Sequence, residues 1–118
     1  MGRSVIVVDD DACFRRLAAD LLRSWGHEVV GEAGSLAEAL TRIAELRPDT
    51  VLVDIGLPDG DGFQLTERLR PLSWRPRILL ISSDSDATTG PEARRAGALG
   101  FMPKTDMPEI RFRQMLDG

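Results

Sequence analysis

Four places in this sequence carry side chains suited to handling a charged oxygen compound. Asp9-Asp10-Asp11 follows one aliphatic run, Asp54 a second, Ser82-Ser83-Asp84 a third, and Lys104 stands two residues beyond a fourth. Two unit charges 4 Å apart repel by about 4 kcal/mol at an effective dielectric near 20, so Asp9, Asp10 and Asp54, once gathered, need a cation among them. Oxygen donors without a partner histidine or cysteine suit Mg2+, which takes one or two carboxylates and keeps much of its water. A dication beside a free carboxylate, a hydroxyl and an ammonium is equipment for a phosphoryl group. The two cations neutralise its equatorial oxygens while an oxygen nucleophile attacks in line. Asp54, the central carboxylate, is placed to form an acyl phosphate. Lys104 strengthens the reading, because it is the one lysine among fifteen basic residues. A compact ammonium on a flexible stem suits a crowded site better than a planar guanidinium does. Asp11, by contrast, reads as the N-cap of the next helix, and Asp59 and Asp61 as turn and cap residues.

That chemistry requires distant strand ends to meet. Five candidate strands run Val5 to Val8, Glu28 to Ala33, Val51 to Val53, Ile78 to Ile81, and Leu99 to Met102. The first, third and fourth are continuously apolar, as strands covered on both faces are. Between the first two, Phe14, Leu17, Ala18, Leu21, Leu22 and Trp25 form a helical stripe that ends at Gly26, a left-handed cap. Ser35 with Glu38 reads as a capping box for a second helix, stopped by Arg47-Pro48. Asp61 with Gln64 does the same for a third, from Gly62 to about Leu69. A short fourth runs from Pro91 to the Gly97 cap, because Gly90-Pro91 interrupts the segment, and a fifth starts near Pro108. Strand alternating with helix five times predicts an α/β fold: a flavodoxin-like, doubly wound, five-stranded parallel sheet with helices on both faces. Its expected order, 2-1-3-4-5, puts strands 1 and 3 at the switch point where ligands bind beyond the carboxyl ends.

Composition narrows the function. One hundred and eighteen residues make one domain, 1–118, with no room for a second. A net charge of -4 argues against direct nucleic-acid binding by this segment and against anionic membranes. The aliphatic runs are too short to span a bilayer, and neither an export segment nor an internal disulfide is expected; a cytoplasmic setting follows. His27, the lone histidine, reads as a surface loop residue, Cys13 as a small packing residue, Trp25 as core and Trp74 as exposed.

The segments VIVVDDDACFRRLAADLL, PDTVLVDIGLPDGDGF, ILLISSDS and AGALGFMPK, at their spacings, resemble the receiver domain of two-component response regulators. The resemblance implies Mg2+ bound by Asp10 directly, by Asp9 directly or through a water, and by Asp54 and the backbone carbonyl of Gly56, with Asp54 as phosphoacceptor. It implies that Ser82 is the switching hydroxyl, Lys104 the ion-pair partner of the phosphate, and Phe101 the aromatic whose rotamer follows the state. The implied donor is a sensor histidine kinase, a phosphotransfer protein or a small phosphodonor. The domain would catalyse its own aspartyl phosphorylation and dephosphorylation rather than act as an enzyme on others. Homodimerisation through helix 4, strand 5 and helix 5 is a further family property. Two other readings compete. Asp9 with Asp11 imitates the opening motif of haloacid-dehalogenase phosphatases, which would make Asp9 the nucleophile and leave Asp54 without a role. A pure interaction domain would keep the fold and never be phosphorylated.

Overall fold

The computed structural model describes residues 3–83, 90–107, 113–114 and 116. Asp84 and the expected start of the fifth helix near Pro108 lie outside the described residues. Five strands form one parallel sheet: β1 (Ser4–Val8), β2 (Glu28–Ala33), β3 (Thr50–Asp54), β4 (Arg77–Ser82) and β5 (Gly100–Pro103), in the order β2-β1-β3-β4-β5. The crossovers are α1 (Ala12–Ser24), α2 (Leu36–Leu46), α3 (Gly62–Leu69) and α4 (Gly90–Ala96). A two-residue antiparallel ribbon, Gly56–Leu57 against Gly60–Asp61, lies between β3 and α3, and a 3-10 turn, Lys104–Asp106, follows β5. The fold and strand order are those expected from the periodicity.

The central strands are apolar on both faces because both are covered. Alternate residues divide cleanly: Ile6, Val8, Val51, Val53, Ile78 and Leu80 meet α2, α3 and α4 through Ala39, Ile43, Leu65, Leu69 and Ala93. Val5, Val7, Leu52, Leu79, Ile81 and Met102 meet α1 through Ala18 and Leu22, together with Met107 and Leu116. Each fully buried Leu, Ile or Val contributes about 1.5–3 kcal/mol, so a one-residue slip of β3 would exchange two cores at once and is excluded. The register of β1, β3 and β4 is therefore firm, and with it the height at which their last residues emerge.

Caps decide where the helices start and stop. Asp11 caps α1, its side chain accepting from the Cys13 and Phe14 amides at 3.0 and 3.2 Å. Asp61 and Gln64 make a reciprocal capping box on α3. Gly26 at φ 89 and Gly97 at φ 105 hold the left-handed conformations that end α1 and α4. The box expected at Ser35 is only half formed. Ser35 accepts from the Glu38 amide at 3.1 Å, but the Glu38 carboxylate takes the Gly34 amide instead, at 3.0 Å.

Four surface assignments are corrected. His27 is buried, because Arg3 enters β1 across it and donates its amide to Nδ1 at 3.2 Å. Cys13 is exposed, since the first turn of α1 stands clear of the sheet. Leu17, assigned to the inward stripe, is 65% exposed; Ala18, Ala19 and Leu22 form the buried line. Trp74 is half-buried, its Nε1 donating to the Pro48 carbonyl at 2.9 Å under the Arg47 guanidinium.

Candidate functional site

Three strands deliver their charges to one rim. Asp9 follows β1 directly and is fully buried, its own amide donating to the Ala33 carbonyl of β2 at 2.9 Å. Its Oδ1 accepts from the Asp11 amide at 2.9 Å, and its Oδ2 lies 2.6 Å from Lys104 Nζ. Asp54 closes β3 and is buried. Its Oδ1 accepts from the Gly56 amide at 3.2 Å, and its Oδ2 sits 3.2 Å from the same ammonium. Asp10 is exposed at the mouth. One oxygen from each of Asp9, Asp10 and Asp54 lies within 4.8 Å of the others, an acidic cluster able to hold a metal ion.

Lys104 reaches this rim because β5 ends at Pro103 and the chain then tightens into a single 3-10 turn. Its ammonium is flanked by two carboxylates and by the Phe14 ring, 4.5 Å away on α1. Ser82 closes β4, buried, one residue beyond Ile81, the register partner of Asp54. Phe101 is half-buried one strand further out, opposite Leu80, and packs on the core under α2, α3 and α4 rather than on the acidic cluster.

The electrostatics favour an added cation. Burial dominates at Asp9 and holds its carboxyl above the usual range, despite the Lys104 and Asp11 hydrogen bonds; the neighbouring Asp54 charge pushes the same way. At Lys104 burial pulls downward, but the Asp9 hydrogen bond and charge, then Asp54, outweigh it and raise the ammonium above its ordinary value. One ammonium thus bridges two of the three clustered carboxylates, and the more deeply buried of the pair, Asp9, resists ionisation. Oxygen-only donors, one of them open to water, fit a hard divalent cation that keeps part of its hydration.

Three further residues shape the site in ways the spacing does not assign: Arg15 and Phe14 as supports, and Asp59, expected as a turn or cap residue, as the cap of a helix that precedes it. Arg15 donates from Nη1 to the Asp9 carbonyl at 2.5 Å and from Nε to Glu32 at 3.2 Å, bracing the acidic loop against β2. Phe14, which reads as part of an apolar stripe, is the platform beneath Lys104. Asp59 spends both oxygens on α2, accepting from Leu36 and Ala37 amides at 2.7 and 3.0 Å. Only the charge of Arg15, unexpected in an apolar first turn, was a visible signal.

This constellation on this sheet defines a class of signalling domain. The sequence matches the response regulator receiver domain over residues 5–115, and the chain belongs to that family. The chemotaxis protein CheY of Thermotoga maritima is 33% identical over 108 residues, covering 92% of this chain and 90% of that protein. The DNA-binding transcriptional activator DevR/DosR of Mycobacterium tuberculosis is 42% identical over 103 residues, but the chain spans only 46% of its length. The response regulator domain of Thermotoga maritima CheB superposes with a TM-score of 0.83 at 27% identity, over 100% of this chain and 98% of that one. Among the described residues, no helix is long and apolar enough to cross a membrane.

Proposed function

We propose that this receiver domain is a phosphorylation switch in which Asp54 accepts a phosphoryl group, with Mg2+ held by Asp9, Asp10, Asp54 and the Gly56 carbonyl. The observation that carries the reading is the placement of Lys104 Nζ against both Asp9 and Asp54, at 2.6 and 3.2 Å. Lysine and nucleophile are already within one ion-pair distance, in a site partly closed to water. When bound, Mg2+ offsets the clustered carboxylates and the negative oxygens of the incoming group. Asp54 attacks phosphorus with a carboxylate oxygen. The bond from phosphorus to the donor histidine nitrogen breaks, and the imidazole leaves with that electron pair. A sensor histidine kinase or phosphotransfer protein is the donor, and a small acyl phosphate can replace it. Lys104 then exchanges a carboxylate partner for a phosphoryl oxygen.

The modification adds about -1.5 to -2 charges at the end of β3, by analogy with other phosphorylated side chains. Ser82, one strand away, supplies a hydroxyl to the new oxygens. Phe101, on the neighbouring strand, follows it and changes the surface near α4. A bias of about 1–3 kcal/mol between two surfaces suffices for such a switch.

The phosphatase reading is disfavoured by two contacts. It needs Asp9 as a free nucleophile and Asp11 as an acid, yet Asp9 is fully buried against Lys104 and the Asp11 carboxylate is committed to the α1 cap. Incubation with acetyl phosphate and Mg2+ should add one phosphoryl group to the wild-type chain and none to Asp54→Asn. Labelling that survives in Asp54→Asn, or phosphate-ester turnover lost only in Asp9→Asn, would reverse the assignment.

A further inference from the structure

The loop between β3 and α3 carries Gly56, and its ribbon is only two residue pairs long. A ribbon that short is not stable by itself. At its base the Ile55 amide bonds the Ile81 carbonyl and the Gly56 amide bonds Asp54 Oδ1. At its exit Asp61 and Gln64 cap α3. Its tip is held elsewhere: Asp59 reaches 22 and 23 residues back along the chain to the first two amides of α2. Those amides have no partner within their own helix. Among the described residues, the Ser35 hydroxyl takes the Glu38 amide and the Glu38 carboxylate takes the Gly34 amide, so neither side chain caps the two leading amides of α2.

A second contact supports the same docking. Gly60 lies so close to α2 that a Cβ there would come within 2.6 Å of both Leu36 Cδ2 and Gln64 Oε1. The start of α2 is in turn tied to the other half of the rim. Gly34 precedes it, a Cβ at Gly34 would lie 3.3 Å from Arg15 Nη1, and that nitrogen donates to the Asp9 carbonyl. The N-terminus of α2 therefore stands between the loop carrying Asp9 and the loop carrying Gly56.

We propose that Asp59 is a positioning residue for the metal site, fixing the Gly56 peptide beside Asp54 by capping α2 from the opposite loop. The inference rests on the reading of Asp54 and Gly56 as Mg2+ ligands. Without the tether the loop samples other arrangements, and the apparent dissociation constant rises in inverse proportion to the competent fraction.

Calorimetric titration of Mg2+ into the full chain separates this role from plain helix capping. Asp59→Ala should raise the Mg2+ dissociation constant about three- to ten-fold, for a competent fraction of roughly 0.1 to 0.3. Ser35→Ala removes a cap from the same helix without touching the loop, and should leave the constant within about two-fold while lowering the unfolding temperature. Asp59→Asn keeps one acceptor oxygen and serves if the alanine variant does not fold; it should weaken Mg2+ in the same direction by a smaller factor. Wild-type affinity in both Asp59 variants, or equal weakening by Ser35→Ala, would overturn the proposal. A wild-type chain that takes up no Mg2+ would instead refute the ligand assignment on which it depends.

Discussion

Lys104 is where sequence and site meet most directly. A single lysine among arginines marked a position that needed a compact charge, and the structure places that charge between Asp9 and Asp54. Removing it leaves a buried carboxylate without its cation, which costs about 1–3 kcal/mol. Lys104→Met should therefore lower the stability of the metal-free protein by that amount in a denaturant titration, and Mg2+ should recover much of the loss. The pH dependence has a definite sign. Burial opposes the ammonium, but Asp9 and Asp54 raise it above 10.5, so its contribution is complete below 10.5 and fades as pH climbs through the higher folded value. The gap between wild type and Lys104→Met should close in the alkaline range and stay open at neutral pH. His27 and Trp74 teach the reverse lesson. Their surroundings come from Arg3, Pro48 and Arg47, and the contact that buries His27 bridges 24 positions, out of reach of a local reading.

The strands and their ends were legible at the level of elements. Runs such as Val5–Val8 and Ile78–Ile81 are apolar throughout because helices cover both faces, and each run stops where a polar group begins. Since register fixes the height of each strand end, locating Asp9, Asp54 and Ser82 after their runs was enough to bring them to one rim. β5 lies one residue beyond the apolar run Leu99 to Met102: Leu99 bonds the Ile78 carbonyl from just outside the strand, and Pro103 ends it opposite Ser82. Helix caps were legible only when local. Asp11 and Asp61 serve the helices that follow them, whereas Asp59 serves one that precedes it, and no spacing rule points backwards across a strand. The amides of Ala37 and Leu36 hold the Asp59 carboxyl below its ordinary 3.8. A lowered carboxyl contributes stability that is fully present above 3.8 and is lost as pH falls through the folded value. Thermal unfolding should accordingly find Asp59→Ala less stable than wild type at neutral pH, with the two curves converging below about pH 4.

Across the whole molecule, the sheet confines repulsion to one edge and leaves the rest of the domain to hold it together. Two apolar cores, one on each face, fix the strands while three carboxylates crowd the rim. A ligand that binds only the folded chain stabilises it by about 2.7 kcal/mol at one hundred times its dissociation constant. Saturating Mg2+ should thus raise the unfolding temperature of the wild type by several degrees and that of Asp54→Asn by distinctly less, as followed by circular dichroism. Whether Asp54 is the phosphoacceptor of a metal-dependent switch is decided by peptide-level mass spectrometry after treatment with acetyl phosphate. One phosphoryl group should appear, on the peptide containing Asp54, present with Mg2+ and absent when the metal is chelated. Modification at Asp9 or any other residue, or equal modification of Asp54 without metal, would contradict it.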